Sequence, residues 1–428
     1  MQLSLRTDRS LLRATARSTR YLQVTLTAPT APPRDDSGQQ ARPPVHIGIV
    51  LDRSGSMEGD SKYTLAMEAV SQALTMLGAD DRFTVVVYDT EVDVIMPSTL
   101  ATPRAKRDAL RRLSDVGPRG GTDLYSGWMT GAAQMLEYFS RESVSRVLLL
   151  TDGLANSGVT EPSALVAAGM ELRRRGIATS TFGVGTDFDE RLLRDIAHDA
   201  GGQFYYIESP TQITDMLTSE LGEALEVVHR DAVLELVLPP GAQAELLNRY
   251  RNRYAAGDHE LRIELGDLVS AQELSLIVRL TFPEDREGAS THVRATIAGI
   301  DTLTPAAHET LSWVYAGHSA NDVQPRDVVV DREVAQLYAA RARAEATEAN
   351  RRGDFRAARQ VLEATARRIR SYAHGDPEMV AMCRALLAEV EQYSERMMSP
   401  REQKQAFYAA EVQSTNRSPE GRKRRQAR

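Results

Sequence analysis

The stretch VHIGIVLDRSGSMEGD occupies residues 45–60 of the chain. Its apolar first half is typical of a strand that is buried on both faces, as in a parallel sheet. The strand pattern ends on Asp52, and two serines, Ser54 and Ser56, follow within four residues. A strand end of this composition fits three kinds of site: a catalytic nucleophile, a metal site built from oxygen ligands, or a polar turn that happens to contain serine.

Alternating strand and helix patterns continue from this strand to about residue 223. Apolar runs predict strands at residues 45–51, 83–88, 146–151 and 178–184, and helix-period segments predict helices at 63–78, 104–113, 124–139, 162–175 and 190–197. This alternation indicates a doubly wound α/β domain, in which helices cover both faces of a mostly parallel sheet. A ligand site in this class of fold lies at the carboxyl ends of the strands.

The segments on either side of this domain follow a different pattern. Apolar and polar residues alternate strictly at 21–27, 260–265, 274–282 and 292–297, which predicts strands with one exposed face, as in a small β-sandwich. A Pro- and Gly-rich linker at residues 28–44 and the α/β domain separate the first of these strands from the others. We therefore predict that the α/β domain is inserted into the sandwich.

The last third of the chain has a helical pattern and ends in a basic segment. Residues 327–398 predict three helices, and the turn at Gly353-Asp354 resembles half of a tetratricopeptide repeat. A second copy is not evident, so a plain helical hairpin or bundle is the better interpretation. The predicted domains are 1–43 for an N-terminal sandwich strand with the linker, 44–224 for the α/β domain, 225–320 for the rest of the sandwich, 327–398 for the helices and 399–428 for a basic disordered tail.

Composition narrows the class of protein. The 428 residues carry a net charge of −7, which gives no general reason to expect nucleic-acid binding. No stretch approaches the roughly 20 apolar residues of a membrane helix, and the first residues lack the apolar core of a signal peptide. The single cysteine, Cys383, excludes an intrachain disulfide and a cysteine-rich zinc cluster. We expect a cytoplasmic protein that is not associated with a membrane.

Two further polar clusters belong to the same predicted domain as Asp52. A Gly-rich loop at residues 117–127 delivers Thr122 to the start of a helix, and a buried strand ends in Asp152. Because ligands in this fold bind at the carboxyl edge of the sheet, we expect the three clusters to meet there. The candidate metal ligands are Asp52, Ser54, Ser56, Thr122 and Asp152.

Carboxylate and hydroxyl oxygens suit Mg²⁺, or Mn²⁺ or Ca²⁺, rather than zinc or copper. Three of the five candidate ligands are neutral hydroxyls. If one of the two carboxylates acts through water, the ion keeps residual positive charge and an open position, and a carboxylate from another molecule would satisfy both.

Simpler roles compete for each of these residues. Asp, Ser and Thr are common helix caps, so any one motif alone fits a cap as well as a ligand. Three motifs in one domain favour the metal site. Asp123 and Ser126 fit capping groups or groups that support the ligands. We expect His46 to be a hydrogen-bonded structural residue, and Asp89 and Asp93 to be solvated near a turn.

The motifs DRSGS (52–56), GGTD (120–123) and TDG (151–153) resemble the metal-ion-dependent adhesion site of von Willebrand factor type A domains. Residues 181–207 resemble the last core strand, helix and edge strand of that family, and the resemblance covers roughly residues 44–223. It implies that Ser54 and Ser56 ligate the metal directly, and that Asp52 and Asp152 do so directly or through water. Thr122 would join or leave the ligand shell as the domain switches between affinity states.

The flanking segments resemble bacterial members of this superfamily in which the domain is set into a β-sandwich and followed by helices. The resemblance therefore implies a metal-dependent protein-binding module, whose cation coordinates an acidic side chain of a protein partner. An ATPase, kinase or phosphatase from a neighbouring gene would be a partner typical of the family.

Two other functions remain open. One is a scaffold or regulator that works through the helices and basic tail, with a purely structural metal. The other is an enzyme, which is disfavoured. A phosphatase of the haloacid dehalogenase type needs a second Asp two residues after the first, where this chain has Ser54. The motifs also contain no G-x-S-x-G elbow, no P-loop and no histidine that could activate a serine.

Overall fold

The computed structural model describes residues 1–31, 42–255, 259–299 and 307–425. The chain forms two compact units: one comprises Met1–Thr30, Val228–Pro419 and Lys423–Arg428, and the other comprises Ala31–Val227 and Glu420–Arg422. The second unit is therefore an insertion in the sequence of the first. Residues 32–41 of the predicted linker lie outside the described residues.

The first strands are β1 (Gln2–Thr7), β2 (Leu11–Arg13) and β3 (Ser18–Thr27). The inserted unit contains β4 (Val45–Asp52), α1 (Lys62–Met76), β5 (Arg82–Tyr88), β6 (Val92–Leu100), α2 (Pro103–Ser114), α3 (Leu124–Leu136), β7 (Val144–Thr151), α4 (Pro162–Arg174), β8 (Ile177–Val184), α5 (Glu190–Asp199), β9 (Gly201–Ile207) and α6 (Ile213–Leu225), with short 3-10 helices at Gly55–Ser61 and Pro210–Gln212. The chain continues with β10 (Val227–Val237), β11 (Gln243–Leu246), β12 (Arg251–Tyr254), β13 (Glu260–Val269), β14 (Glu273–Phe282), β15 (Ser290–Ala298), β16 (Ala307–Ala316), α7 (His318–Val323), α8 (Val328–Arg351), α9 (Phe355–Tyr372), α10 (Pro377–Ser394) and α11 (Pro400–Ser414).

The inserted unit is built on a six-stranded sheet in the order β6-β5-β4-β7-β8-β9. The strands from β5 to β9 in this order run parallel, and β6 pairs antiparallel with β5 at the edge. Every residue of β4 and β7 is buried, in keeping with their continuous apolar runs. The predicted fold class is confirmed. β6 was not predicted, because Pro97 interrupts its strand pattern; an edge strand tolerates a proline at such a position.

A buried ion pair joins α6 to this sheet. Glu220 on α6 is fully buried, and Arg146 Nη1 on β7 lies 2.6 Å from its Oε1. Ser180 Oγ on β8 donates to the same oxygen at 2.6 Å, and the Tyr205 hydroxyl on β9 donates to Oε2. Three neighbouring strands thus bind one carboxylate of the helix that covers them.

The other unit contains a four-stranded sheet in the order β1-β3-β14-β11 and a six-stranded sheet in the order β12-β13-β10-β15-β16-β2. β3 pairs antiparallel with β14 along its whole length, from Ser18 opposite Phe282 to Thr27 opposite Glu273. Apolar residues of both sheets form one shared core around the buried Trp313. The prediction that the α/β domain is inserted into a sandwich is therefore confirmed.

The predicted disordered tail is wrong over most of its length. Ser399 and Glu402 form a reciprocal capping box that starts α11, and Tyr408 and Val412 are buried on its inner face. The helix packs against α8, and Arg425 forms a strand-like bridge with Gln272. The basic residues that suggested disorder begin only at 417, after this amphipathic helix has ended. Residues 426–428 lie outside the described residues.

Within the described ranges, no helix combines the length and the apolar composition needed to cross a bilayer.

Candidate metal centre

The loop after β4 folds back over the end of its own strand. Asp52 is fully buried, and its Oδ1 accepts the backbone N–H of Ser54 at 2.7 Å. Its Oδ2 accepts the hydroxyl of Thr151, on the neighbouring strand β7, at 2.6 Å. This local turn brings Ser54 Oγ and Ser56 Oγ to 3.1 Å from one another.

The end of β7 supplies the second carboxylate. Asp152 is fully buried, and Ser56 Oγ donates to its Oδ1 at 2.6 Å. Lys62 Nζ, on the first residue of α1, donates to the other oxygen at 2.6 Å. Ser56 of the loop after β4 and Lys62 at the start of α1 thus bind the two oxygens of Asp152, and through Ser56 the first and third motifs are in direct contact.

The Gly-rich loop before α3 brings Thr122 to the same place. A Cβ atom on Gly153 would lie 3.7 Å from Ser56 Oγ and 3.7 Å from Thr122 Oγ1, so both hydroxyls lie beside Gly153. Asn156 fixes this loop, since its Oδ1 accepts the Thr122 N–H at 2.8 Å and its own N–H donates to the Thr122 carbonyl at 3.1 Å. The structure thus brings the three motifs together at the carboxyl edge of the sheet. We call the side-chain oxygens of Asp52, Ser54, Ser56, Thr122 and Asp152 the oxygen cup.

Asp123 and Ser126 form the N-terminal cap of α3. The Ser126 N–H donates to Asp123 Oδ1 at 3.0 Å, and the Ser126 hydroxyl donates to Oδ2 at 2.9 Å. The Asp123 N–H donates to the Asp89 carbonyl at 2.7 Å. These contacts hold the residue after Thr122 and leave the Asp123 carboxylate engaged in the cap.

Asp89 differs from its expected solvated state. Its carboxylate is buried and lies 2.8 Å from Arg53 Nε and 2.8 Å from Arg119 Nε. Burial raises the pKa of Asp89, but the hydrogen bonds from Arg119 and the Glu91 N–H, with the charge of Arg53, outweigh it and leave the pKa below its ordinary value. Asp89 therefore ties the first loop to the Gly-rich loop.

Asp93 also contacts this network, since Arg53 Nη2 donates to its half-exposed carboxylate. The sequence signals for this network are the arginine inside the first motif, Arg53, and Arg119 in the Gly-rich loop.

The oxygen cup is buried except at Ser56. Asp52, Ser54, Thr122 and Asp152 are buried, whereas Ser56 is exposed. Burial raises the pKa of Asp52 to about 6, against the hydrogen bonds from Thr151 and Ser54. The charge of Asp152 adds to this rise. A carboxylate with a raised pKa in a buried site gains from a nearby cation.

The donor set and its spacing fit a small hard cation. Adjacent oxygens around Mg²⁺, at bond lengths of about 2.0–2.1 Å, are about 2.9 Å apart in an octahedron. The spacings are 3.1 Å between Ser54 Oγ and Ser56 Oγ, and 2.6 Å between Ser56 Oγ and Asp152 Oδ1. No group of three or more His, Cys, Asp or Glu suited to a metal occurs in the described part of the chain.

This site and fold define the class of the inserted domain. Residues 46–219 match the family model of the von Willebrand factor type A domain, and this part of the chain is therefore a von Willebrand factor type A domain.

Relatives of known sequence extend the comparison. The chain is 24% identical over 250 residues to the uncharacterised protein YfbK of Escherichia coli, over 58% of this chain and 43% of that protein. It spans less than two thirds of the length of the curated relatives that it matches first.

Two solved structures share the fold. A von Willebrand factor type A protein from Catenulispora acidiphila has a TM-score of 0.70 at 18% identity, over 91% of this chain and 89% of that one. The ArnB paralogue VWA2 from Sulfolobus acidocaldarius has a TM-score of 0.57 at 14% identity, over 96% of this chain and 98% of that one. Both likenesses extend over most of this chain, and at these identities they concern the fold alone.

Proposed function

We propose that the inserted domain is a metal-dependent protein-binding module. The oxygen cup would hold a divalent cation, Mg²⁺ or alternatively Mn²⁺ or Ca²⁺, and the cation would bind a carboxylate of a protein partner. One observation supports this proposal above all: the loops around residues 52, 122 and 152 place their side-chain oxygens next to one another. An ATPase, kinase or phosphatase from a neighbouring gene stays the predicted partner.

The composition of the cup supports capture of a carboxylate. Mg²⁺ takes about six oxygens, and the cup offers five side-chain donors, three of them neutral. One of the two carboxylates, Asp152, already shares its charge with Lys62. The exposed Ser56 marks the side from which a partner oxygen can approach.

We propose no catalytic role for Ser54 or Ser56. Serine nucleophiles need an adjacent base, most often histidine. The two histidines of the inserted domain are engaged elsewhere: His46 Nε2 lies 2.9 Å from Ser98 Oγ, and His198 lies at the end of α5 beside Asp199. Burial lowers the pKa of His46 to about 4, together with the charge of Arg82, which suits a neutral structural residue.

Capture of partners from a native lysate tests the proposal. The full-length protein would be immobilised in Mg²⁺, in EDTA, and as the Ser54→Ala variant in Mg²⁺. We expect the partner to be lost in EDTA and with Ser54→Ala. A matched control is Ser143→Ala, which removes a hydroxyl just before β7, at the amino edge of the same sheet. This control should capture as wild type does.

A second experiment tests whether the captured partner binds through a carboxylate. Substituting its acidic residues one at a time should identify one Asp or Glu whose amide variant is no longer captured. Partners that survive both EDTA and Ser54→Ala would contradict metal-mediated recognition and would favour the scaffold alternative.

A further inference from the structure

Lys62 is a cation at the oxygen cup that no motif includes. Its Nζ lies 2.6 Å from Asp152 Oδ2 and 3.4 Å from the Ser56 carbonyl oxygen. The Lys62 side chain is only 12% exposed, although lysine is rarely buried unless it is paired. Its partner carboxylate is not exposed at all. The ammonium group is therefore enclosed at the cup, unlike a mobile surface charge.

The backbone just before Lys62 has an unusual conformation. The two residues before it, Asp60 and Ser61, have φ values of 52° and 57°, a left-handed conformation that residues other than glycine rarely adopt. On the other side, Gly185 also has a positive φ, and a Cβ atom there would lie 4.0 Å from Lys62 Nζ. Loops after β4, β7 and β8 thus surround this one ammonium group.

We propose that Lys62 is an internal counter-cation of the oxygen cup, which neutralises Asp152 and competes with the divalent cation for it. This inference rests on the proposed function, because it concerns the same metal site. It assigns to Lys62 a positioning role, since it acts on the bound ion through Asp152.

The charge balance shows what this lysine would contribute. Asp52, Asp152 and Lys62 together carry −1, a divalent cation brings the cup to +1, and one partner carboxylate brings it to zero. Without Lys62 the loaded cup would already be neutral, and a further carboxylate would leave it at −1. Lys62 thus weakens metal binding and favours capture of a carboxylate.

The test measures Mn²⁺ affinity of the full-length protein by calorimetry and by the EPR signal of free Mn²⁺, with no partner present. Removing the repulsion between Lys62 and the ion should make Lys62→Met bind Mn²⁺ about tenfold more tightly than wild type. Lys62→Arg keeps the charge and should stay close to wild type. Lys106→Met is the matched control: Lys106 belongs to α2, where its Nζ donates to the Leu77 carbonyl, and its loss should leave the affinity unchanged.

A second readout needs no metal. In chelator, Lys62→Met leaves the buried Asp152 without its ammonium partner, so the melting temperature should fall by about 4 °C. In an Asp152→Asn background the same substitution should have little effect. With saturating Mn²⁺ the difference between Lys62→Met and wild type should shrink, because the divalent ion then supplies positive charge beside Asp152 in both proteins.

The outcomes separate the two proposals. A wild-type protein that does not bind Mn²⁺ would overturn the proposed function itself. A wild-type protein that binds Mn²⁺ while Lys62→Met binds it equally or more weakly would overturn only the role of Lys62. A fall in melting temperature of the same size in the Asp152→Asn background would also overturn it, since the effect would then not depend on the ion pair.

Discussion

The Asp52→Asn variant is expected to lose divalent-cation binding while keeping its fold. Its affinity for Mn²⁺ should fall on the order of 100-fold or more, because the variant removes one of the two charged ligands. In saturating Mg²⁺ the wild-type protein should gain about 3 kcal/mol of unfolding free energy at a concentration of 100 times the dissociation constant. The variant should show no such gain.

In chelator, where no divalent cation stabilises the wild-type protein, the Asp52→Asn variant should lose no stability relative to wild type. The pKa of Asp52 is raised from 3.8 to about 6 by burial, so the folded state holds this proton more tightly than the unfolded chain. Ionising Asp52 therefore lowers the free energy of unfolding. This loss is absent well below pH 3.8, grows as the pH rises, and is complete above about pH 6. Each pKa unit corresponds to about 1.4 kcal/mol, so this loss at pH 8 is at most about 3 kcal/mol. In EDTA at pH 8 we therefore expect Asp52→Asn to be at least as stable as wild type.

A matched variant controls for the loss of one negative charge. Asp108→Asn makes the same change on the surface of α2, where Asp108 pairs with Arg104 and Arg111. It should keep the wild-type gain in Mg²⁺. Wild-type Mn²⁺ affinity in Asp52→Asn would contradict the assignment of Asp52 as a ligand.

The Glu220→Ala variant is expected to destabilise the inserted domain strongly. It removes the carboxylate that Arg146, Ser180 and Tyr205 bind in the buried interior. Removing one member of a buried ion pair costs about 3–5 kcal/mol, because the other charge keeps its desolvation penalty. The Glu220→Gln variant retains oxygen and nitrogen atoms that can hydrogen-bond, and it should cost clearly less.

Tryptophan fluorescence can report this loss from the inserted domain alone. The chain has two tryptophans, Trp128 in α3 of the inserted domain and Trp313 in β16 of the sandwich, and both are fully buried. In a Trp313→Phe background, urea unfolding followed by fluorescence therefore monitors Trp128. A loss below about 1 kcal/mol for Glu220→Ala would show that the buried network does not hold α6 on the sheet.

The α/β fold could be predicted from sequence because its signals are local. β4 and β7 are apolar runs buried on both faces, and the alternation with helices follows directly from the pattern. The insertion was predictable because the alternating strand at 21–27 had no neighbour of its own kind. The edge strand β6 and the last helix were missed, since Pro97 and the basic residues after 417 dominated their local patterns.

In the candidate site too, some residues could be predicted from the sequence and others could not. The five cup residues stand in short motifs at strand ends and helix starts, where local pattern indicates their position. Lys62 could not be predicted, because its contact with Asp152 depends on two left-handed residues that are not glycine. The burial of Asp89 depends on Arg53, which lies 36 positions earlier in the chain. Such long-range charge pairing leaves no periodic signal in a single sequence.

A divalent cation in the oxygen cup can be located by anomalous scattering from a crystal of the protein grown with MnCl₂. We expect one Mn²⁺ bound by Ser54 Oγ and Ser56 Oγ, with Asp52, Thr122 and Asp152 as ligands or one water away. Anomalous density that lies away from these oxygens, or none at the cup in Mn²⁺-saturated crystals, would contradict this expectation.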